Sequence, residues 1–298
     1  MKKNTGRKYR RGIHLFNFKR IAALVAMVAV SASLLAGCGG AKNEGQNSGE
    51  IKGTVTASGS TALLPLLKAA QEEFQKANAN VTVNIAGGGS FTGQNQVASG
   101  AVNIGNSDVA LDAQLKDKGL VEHKLVVIPF VFITHPDVSV NSLTTEQAAS
   151  ILSGKITNWK EVGGQDQKIT IMSRSKSSGS RATIAEVVLK NAAFTDNVVI
   201  QDSNGALRTA VASTPGAIGY VDAAYVDKTV KELTYNGVKY SVDNVVSGKY
   251  GIYTYGRMFT KGAPTGAVKA FIDYATSKDF QEKYAEKNGF VPSTKMPK

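Results

Sequence analysis

GTVTASGSTALLPLLKAAQEEFQKA, residues 53–77, changes its hydrophobic period once, and that change decides the fold class. Gly53 to Ala57 is small and β-branched and suits a strand. From Ala62 to Ala77 the apolar residues Leu63, Leu67, Ala70, Phe74 and Ala77 recur at helical spacing, one buried stripe. The join is Ala57-Ser58-Gly59-Ser60-Thr61, with Ser60 or Thr61 as a natural N-cap and Pro65 in the first turn. Strand, small-residue loop, helix is the repeating unit of α/β architecture.

The same grammar continues outward. Strands are expected at Val81 to Ala86, Val102 to Gly105, Leu125 to Thr134, Lys168 to Met172, Ala217 to Val221 and Ile252 to Met258. Helices are expected at Thr144 to Leu152, Arg181 to Asn191, Ala206 to Ala212, Pro264 to Thr276 and Asp279 to Lys287. A chain of 298 residues exceeds what one core usually serves, so two lobes are expected. With 42% hydrophobic and 19% charged residues it is globular and not disordered. A single cysteine excludes a disulfide scaffold and Cys-rich metal sites.

The formal charge of +12 suggests a nucleic-acid partner only until its distribution is read. Eight basic residues and no acid fall within residues 1–37, so the remainder carries +4 and no nucleic-acid partner is expected. The apolar run Ile21 to Ala36 is short for a membrane span and follows a basic segment, the pattern of a secretory signal peptide. It ends in Leu35-Ala36-Gly37-Cys38, which looks like a bacterial lipobox, with Cys38 lipidated as the mature N-terminus. Residues 39–50 contain one alanine as their only apolar side chain and are read as a tether reaching about 20 Å. The folded part then begins near Ile51, held at the outer face of the cell membrane.

Three small-residue loops stand where strands hand over to helices. The first is Ala57 to Thr61, in which plain capping competes with ligand binding. The second, Gly87-Gly88-Gly89-Ser90-Phe91-Thr92-Gly93, suits an anion nest or a flexible turn. Gln94 and Asn95 stand where a Walker A loop needs Lys and Ser/Thr, which argues against an NTPase. The third, Arg174-Ser175-Lys176-Ser177-Ser178-Gly179-Ser180, places a guanidinium and hydroxyls at a helix entrance, where free N–H groups attract anions. Its S-x-x-K spacing carries no β-lactamase reading, because no K-T-G follows. Asp108, after Val102 to Gly105, is either the cap of a short helix near Leu111 or part of the same site. His123 and His135 sit in or beside apolar strand sequence and are read as structural.

The ordered set Gly59-Ser60-Thr61-Ala62-Leu63, Gly89-Ser90, Ile104 to Asp108, Arg174 with Ser178-Gly179-Ser180, and Pro215 to Tyr220 resembles the substrate-binding lipoprotein of bacterial phosphate ABC transporters, from Ser58 to Pro292. The resemblance implies a two-lobed periplasmic-binding-protein-like fold closing over one phosphate, with lobe 1 from residues 51–130 and 251–298 and lobe 2 from 131–250. It implies ligands at Thr61, the backbone of Ala62, Ser90, Asp108, Arg174, Ser178, Gly179 and Ser180, with Ser60 and Thr92 as further candidates. It also implies permease subunits as partners, no cofactor, no metal and no covalent chemistry. One departure is Lys176, where an acid two places after the arginine is expected. The competing readings are a receptor for sulfate, molybdate or tungstate, an extracellular phosphatase or serine hydrolase, and a surface adhesin. Asp108 disfavours a fully ionised anion, which its charge would repel.

Overall fold

The computed structural model describes residues 50–297. The leader, the lipobox with Cys38 and the tether to Gly49 lie outside the described residues. In chain order the elements are β1 Gly53–Gly59, α1 Leu64–Ala77, β2 Val81–Ala86, α2 Ser90–Ser99, β3 Ile104–Ser107, β4 Leu120–Thr134, β5 Ser142–Leu143 and α3 Thr145–Leu152. They continue with β6 Thr170–Arg174, α4 Gly179–Val187, β7 Val199–Gln201, α5 Asn204–Ser213, β8 Ala217–Asp222, β9 Lys231–Glu232 and β10 Thr234–Tyr235. The last are α6 Val242–Val246, β11 Tyr253–Lys261, α7 Gly266–Thr276, α8 Lys278–Phe280 and β12 Val291–Pro292.

One sheet runs β2-β1-β3-β11-β4-β8-β6-β7, with β12 and β9 also pairing β4. The parallel pairs β1–β2, β1–β3, β6–β7 and β6–β8 flank the antiparallel strands β11 and β4. Strand β4 is the bridge. Its stretch from Leu120 to Pro129 pairs with β11, and its stretch from Phe130 to Thr134 pairs with β8. Pro129, which has no N–H to give, sits at this changeover. Near-continuous burial from Leu125 to Thr134 follows from cover on both faces. No helix among the described residues is long and apolar enough to cross a membrane.

The expected elements are present, β2 with the expected ends and most others with shifted ones. Helix α1 buries Leu66, Leu67, Ala70 and Phe74, with Leu63 buried just ahead of it, whereas Ala77 at its last turn is exposed. Strand β6 begins at Thr170, where it meets Ala217 of β8, because Lys168 and Ile169 bond instead to the Thr157–Asn158 segment. It runs on to Arg174 because Met172, Ser173 and Arg174 pair with β7. The expected helix from Asp279 to Lys287 is broken into α, π and 3-10 turns. There the buried Gln281 side chain donates to the Leu125 carbonyl and accepts from Ser293 N–H at 2.9 Å. Asp108 caps nothing: Asp112 caps the 3-10 turn Ala113–Lys118, accepting from Gln114 N–H at 2.9 Å.

Candidate functional site

Four helices start at one place, α1, α2, α4 and α5, each following a strand of the sheet. Their first N–H groups have no partners within their own helices. Ser60, Thr61, Ala62, Ser90, Asp108, Arg174, Ser178, Gly179 and Ser180 are all buried there. Thr92, half-exposed on the first turn of α2, is turned out of this cluster toward Gly88.

Helix α1 is not capped by its own side chain; Ser60 Oγ accepts from Leu63 N–H at 3.2 Å and donates to Asp108 Oδ1. Ser180 Oγ donates to Asp108 Oδ2 at 3.1 Å. The Asp108 N–H in turn donates to Ser90 Oγ at 2.9 Å, so three serines from three loops meet on one residue. Behind it, Thr254 Oγ1 donates to the Asp108 carbonyl at 2.8 Å. Burial pushes the Asp108 carboxyl up from the usual range, opposed by the Ser60 and Ser180 hydroxyls and by the Arg174 and Arg257 charges.

Two glycines make this convergence possible. Gly89 adopts φ +93°, and a Cβ there would stand 2.5 Å from the Ser177 carbonyl oxygen. A Cβ on Gly179 would collide with Ser90 Oγ and lie 2.9 Å from Asp108 Cβ. Ser178 caps α4, accepting from Arg181 N–H at 3.2 Å, while its own N–H donates to the Ser175 carbonyl at 3.1 Å.

Arg174, at the end of β6, is oriented by the carbonyls of the neighbouring β7–α5 turn. Its Nε donates to the Gln201 carbonyl at 3.0 Å, and its Nη2 donates to the Asp202 carbonyl at 3.0 Å and to Thr61 Oγ1 at 3.3 Å. Nη1 is buried with no partner among the described residues. Burial pulls the guanidinium down from its ordinary value, and the Asp108 charge opposes this. Lys176 is exposed on the following turn, so backbone carbonyls do the orienting in place of the expected acid.

The sequence reading missed three residues. Asn204, the first residue of α5, donates from N and Nδ2 to Thr61 Oγ1 at 3.3 and 3.1 Å, and from Nδ2 to Ser180 Oγ at 3.5 Å. Tyr225 OH donates to the Thr61 carbonyl at 2.6 Å. Asp222 is fully buried; its N–H donates to Asn204 Oδ1 at 3.2 Å, and its Oδ1 accepts from Ala224 N–H at 2.6 Å. Burial holds its carboxyl well above the usual range. A signal for Asn204 was present, since Ser203-Asn204-Gly205 is a fourth small-residue handover from strand to helix.

Thr61 Oγ1 therefore receives three donors on two lone pairs, which leaves its own hydrogen directed elsewhere. With Arg174 Nη1 and the helix N-termini, it forms a buried set of donors around one carboxylate. The chemistry of such a set suits an oxyanion that keeps a proton for that carboxylate. His123 bonds Thr260 at 3.0 Å and His135 pairs with Asp137 at 2.7 Å, both outside the cluster.

A family model described as a PBP superfamily domain matches residues 44–279. The phosphate-binding protein PstS of Bacillus subtilis is 38% identical, over 93% of this chain and 96% of that protein. PstS of Borreliella burgdorferi is 30% identical, over 92% and 98%. A Clostridium perfringens crystal structure, described as a phosphate ABC transporter substrate-binding protein with bound phosphate, superposes with a TM-score of 0.76 at 32% identity. It covers 80% of this chain and 99% of that one.

Proposed function

Because the chain belongs to the PBP superfamily and, within it, to the phosphate-binding proteins named PstS, we propose that it is an extracellular phosphate receptor that passes its ligand to an ABC transporter permease. The observation that carries this reading is Arg174 Nη1, a buried cationic donor without a partner among the described residues, beside Thr61. A tetrahedral oxyanion supplies the acceptor. Binding uses one guanidinium and neutral dipoles, and no bond is made or broken. The ligand set is Thr61, the Ala62 N–H, Ser90, Asp108, Arg174, Ser178, Gly179 and Ser180, with Ser60 supporting Asp108.

Asp108 supplies the choice of anion. A carboxylate has about four acceptor sites, and Ser60 and Ser180 use two, so a phosphate P–OH finds acceptor capacity there. Sulfate near neutral pH brings no proton and meets only repulsion.

We read residues 51–130 with 251–298 as one lobe and 131–250 as the other. The bonds from Ser180 to Asp108 and from Arg174 and Tyr225 to Thr61 then cross between lobes and hold the closed state. Release requires these bonds to break, the step a permease would drive. Cys38 is the lipid anchor that keeps the receptor beside that permease.

Uptake of labelled phosphate tests the delivery role. Cells lacking the chain should take up little phosphate from dilute medium, and the full chain should restore uptake. A Cys38→Ser chain should restore much less and carry no lipid label. Equal uptake with and without the chain would overturn delivery, and normal lipid labelling of the Ser variant would overturn the anchor.

A further inference from the structure

Thr61 is held through both of its oxygens from across the cleft. Its hydroxyl oxygen is taken by Arg174 and Asn204, and its carbonyl by Tyr225. The second of these contacts matters for the geometry of the backbone. In a trans peptide the C=O and the following N–H point in opposite directions within one rigid plane. The chain contains no cis peptide bond among the described residues. A hydroxyl 2.6 Å from the Thr61 oxygen therefore fixes the direction of the Ala62 N–H as well.

Resting on the phosphate reading, we infer that Tyr225 is a positioning residue that clamps the Thr61–Ala62 peptide and so aims the Ala62 N–H at the bound anion. Tyr225 itself does not touch the ligand. It is built for this task. The residue closes a 3-10 turn, Ala223–Tyr225, that Asp222 caps through Ala224 N–H. Its ring lies over the start of α5, within van der Waals reach of a Cβ placed on Gly205. The backbone N–H of the same Asp222 fixes Asn204, the other hand on Thr61. One buried residue thus aligns both grips. Burial first, and then the Asp222 charge, raises the Tyr225 phenol above its ordinary value, so it stays a neutral donor.

Tyr225→Phe keeps the ring against α5 and removes only the donor. The Thr61 carbonyl loses its partner in the closed state, where a buried acceptor left unmet is costly, so phosphate affinity should fall about fivefold to thirtyfold. The loss should lie in faster dissociation, because the clamp forms after encounter. The ratio of phosphate to sulfate affinity should hold, since Asp108 is untouched, and the ligand-free protein should unfold within about 2 °C of the parent.

Stopped-flow and equilibrium titration of the parent and the Phe variant, each with phosphate and sulfate, together with thermal unfolding of both ligand-free proteins, measure all of this. Parent and variant affinities within twofold would overturn the clamp while leaving the phosphate reading in place. A weaker affinity accompanied by an equal loss of ligand-free stability would also overturn it, as general destabilisation. Absence of phosphate binding by the parent would instead overturn the phosphate reading, and the clamp with it.

Discussion

Arg174→Ala should weaken phosphate binding at least about tenfold, because a charge-assisted hydrogen bond to a buried anion contributes roughly 1.5 to 3 kcal/mol. The structure adds a second reason. Arg174 Nε and Nη2 satisfy the Gln201 and Asp202 carbonyls, so truncation leaves these acceptors without their donor and loosens the β7–α5 turn that presents Asn204. Lys176 cannot substitute, being exposed on the following turn. Arg174→Lys should recover part of the loss and no more, since a point charge cannot span two carbonyls, Thr61 and an anion at once. Calorimetric titration reads the effect directly. An affinity within about twofold of the parent, under roughly 0.5 kcal/mol, would show that the guanidinium does not contact the ligand.

Asp108→Asn should narrow the preference for phosphate over sulfate by at least about tenfold, or roughly 1.4 kcal/mol. The amide keeps the carboxylate's shape, removes its charge and offers a donor. Phosphate exchanges one hydrogen bond for another, so its affinity should fall modestly. Sulfate loses a repulsion and gains a donor. Ser60 and Ser180 now share one oxygen and one NH2 group, so one of them must turn its hydroxyl, at similar cost for either anion. A change in helix capping is excluded as the cause, because Asp112 and not Asp108 caps the neighbouring turn. An unaltered ratio in parallel titrations would remove Asp108 from the selectivity mechanism.

Local grammar was legible in the sequence wherever a segment buries its own pattern. Strand β2 was read to its true ends and α3 to within one residue, since Thr144, taken as its first helical residue, proves to be its cap. The three donor loops were visible too. The fourth showed only its small residues, since β7 is only three residues long and exposes Val199 and Ile200, which leaves no buried alternation to mark a strand before Asn204. Tyr225 carries no local signal, as its partner Thr61 is 164 residues away in sequence. Asp108 remained ambiguous between cap and site group until Asp112 was seen to fill the cap and three serines were seen to meet on Asp108. The ends of β4 show the same limit. Leu120 to Lys124 alternates charged and apolar residues weakly, and only pairing with β11 makes it strand.

If the buried donors around Asp108 form a phosphate site, the purified, unaltered protein will show it when titrated with phosphate and with sulfate in parallel calorimetric runs at neutral pH. One phosphate should bind saturably per chain, and sulfate should bind more weakly by at least about a hundredfold, roughly 2.7 kcal/mol. Sulfate affinity equal to or above that of phosphate, or no heat with either anion, would contradict a phosphate site there.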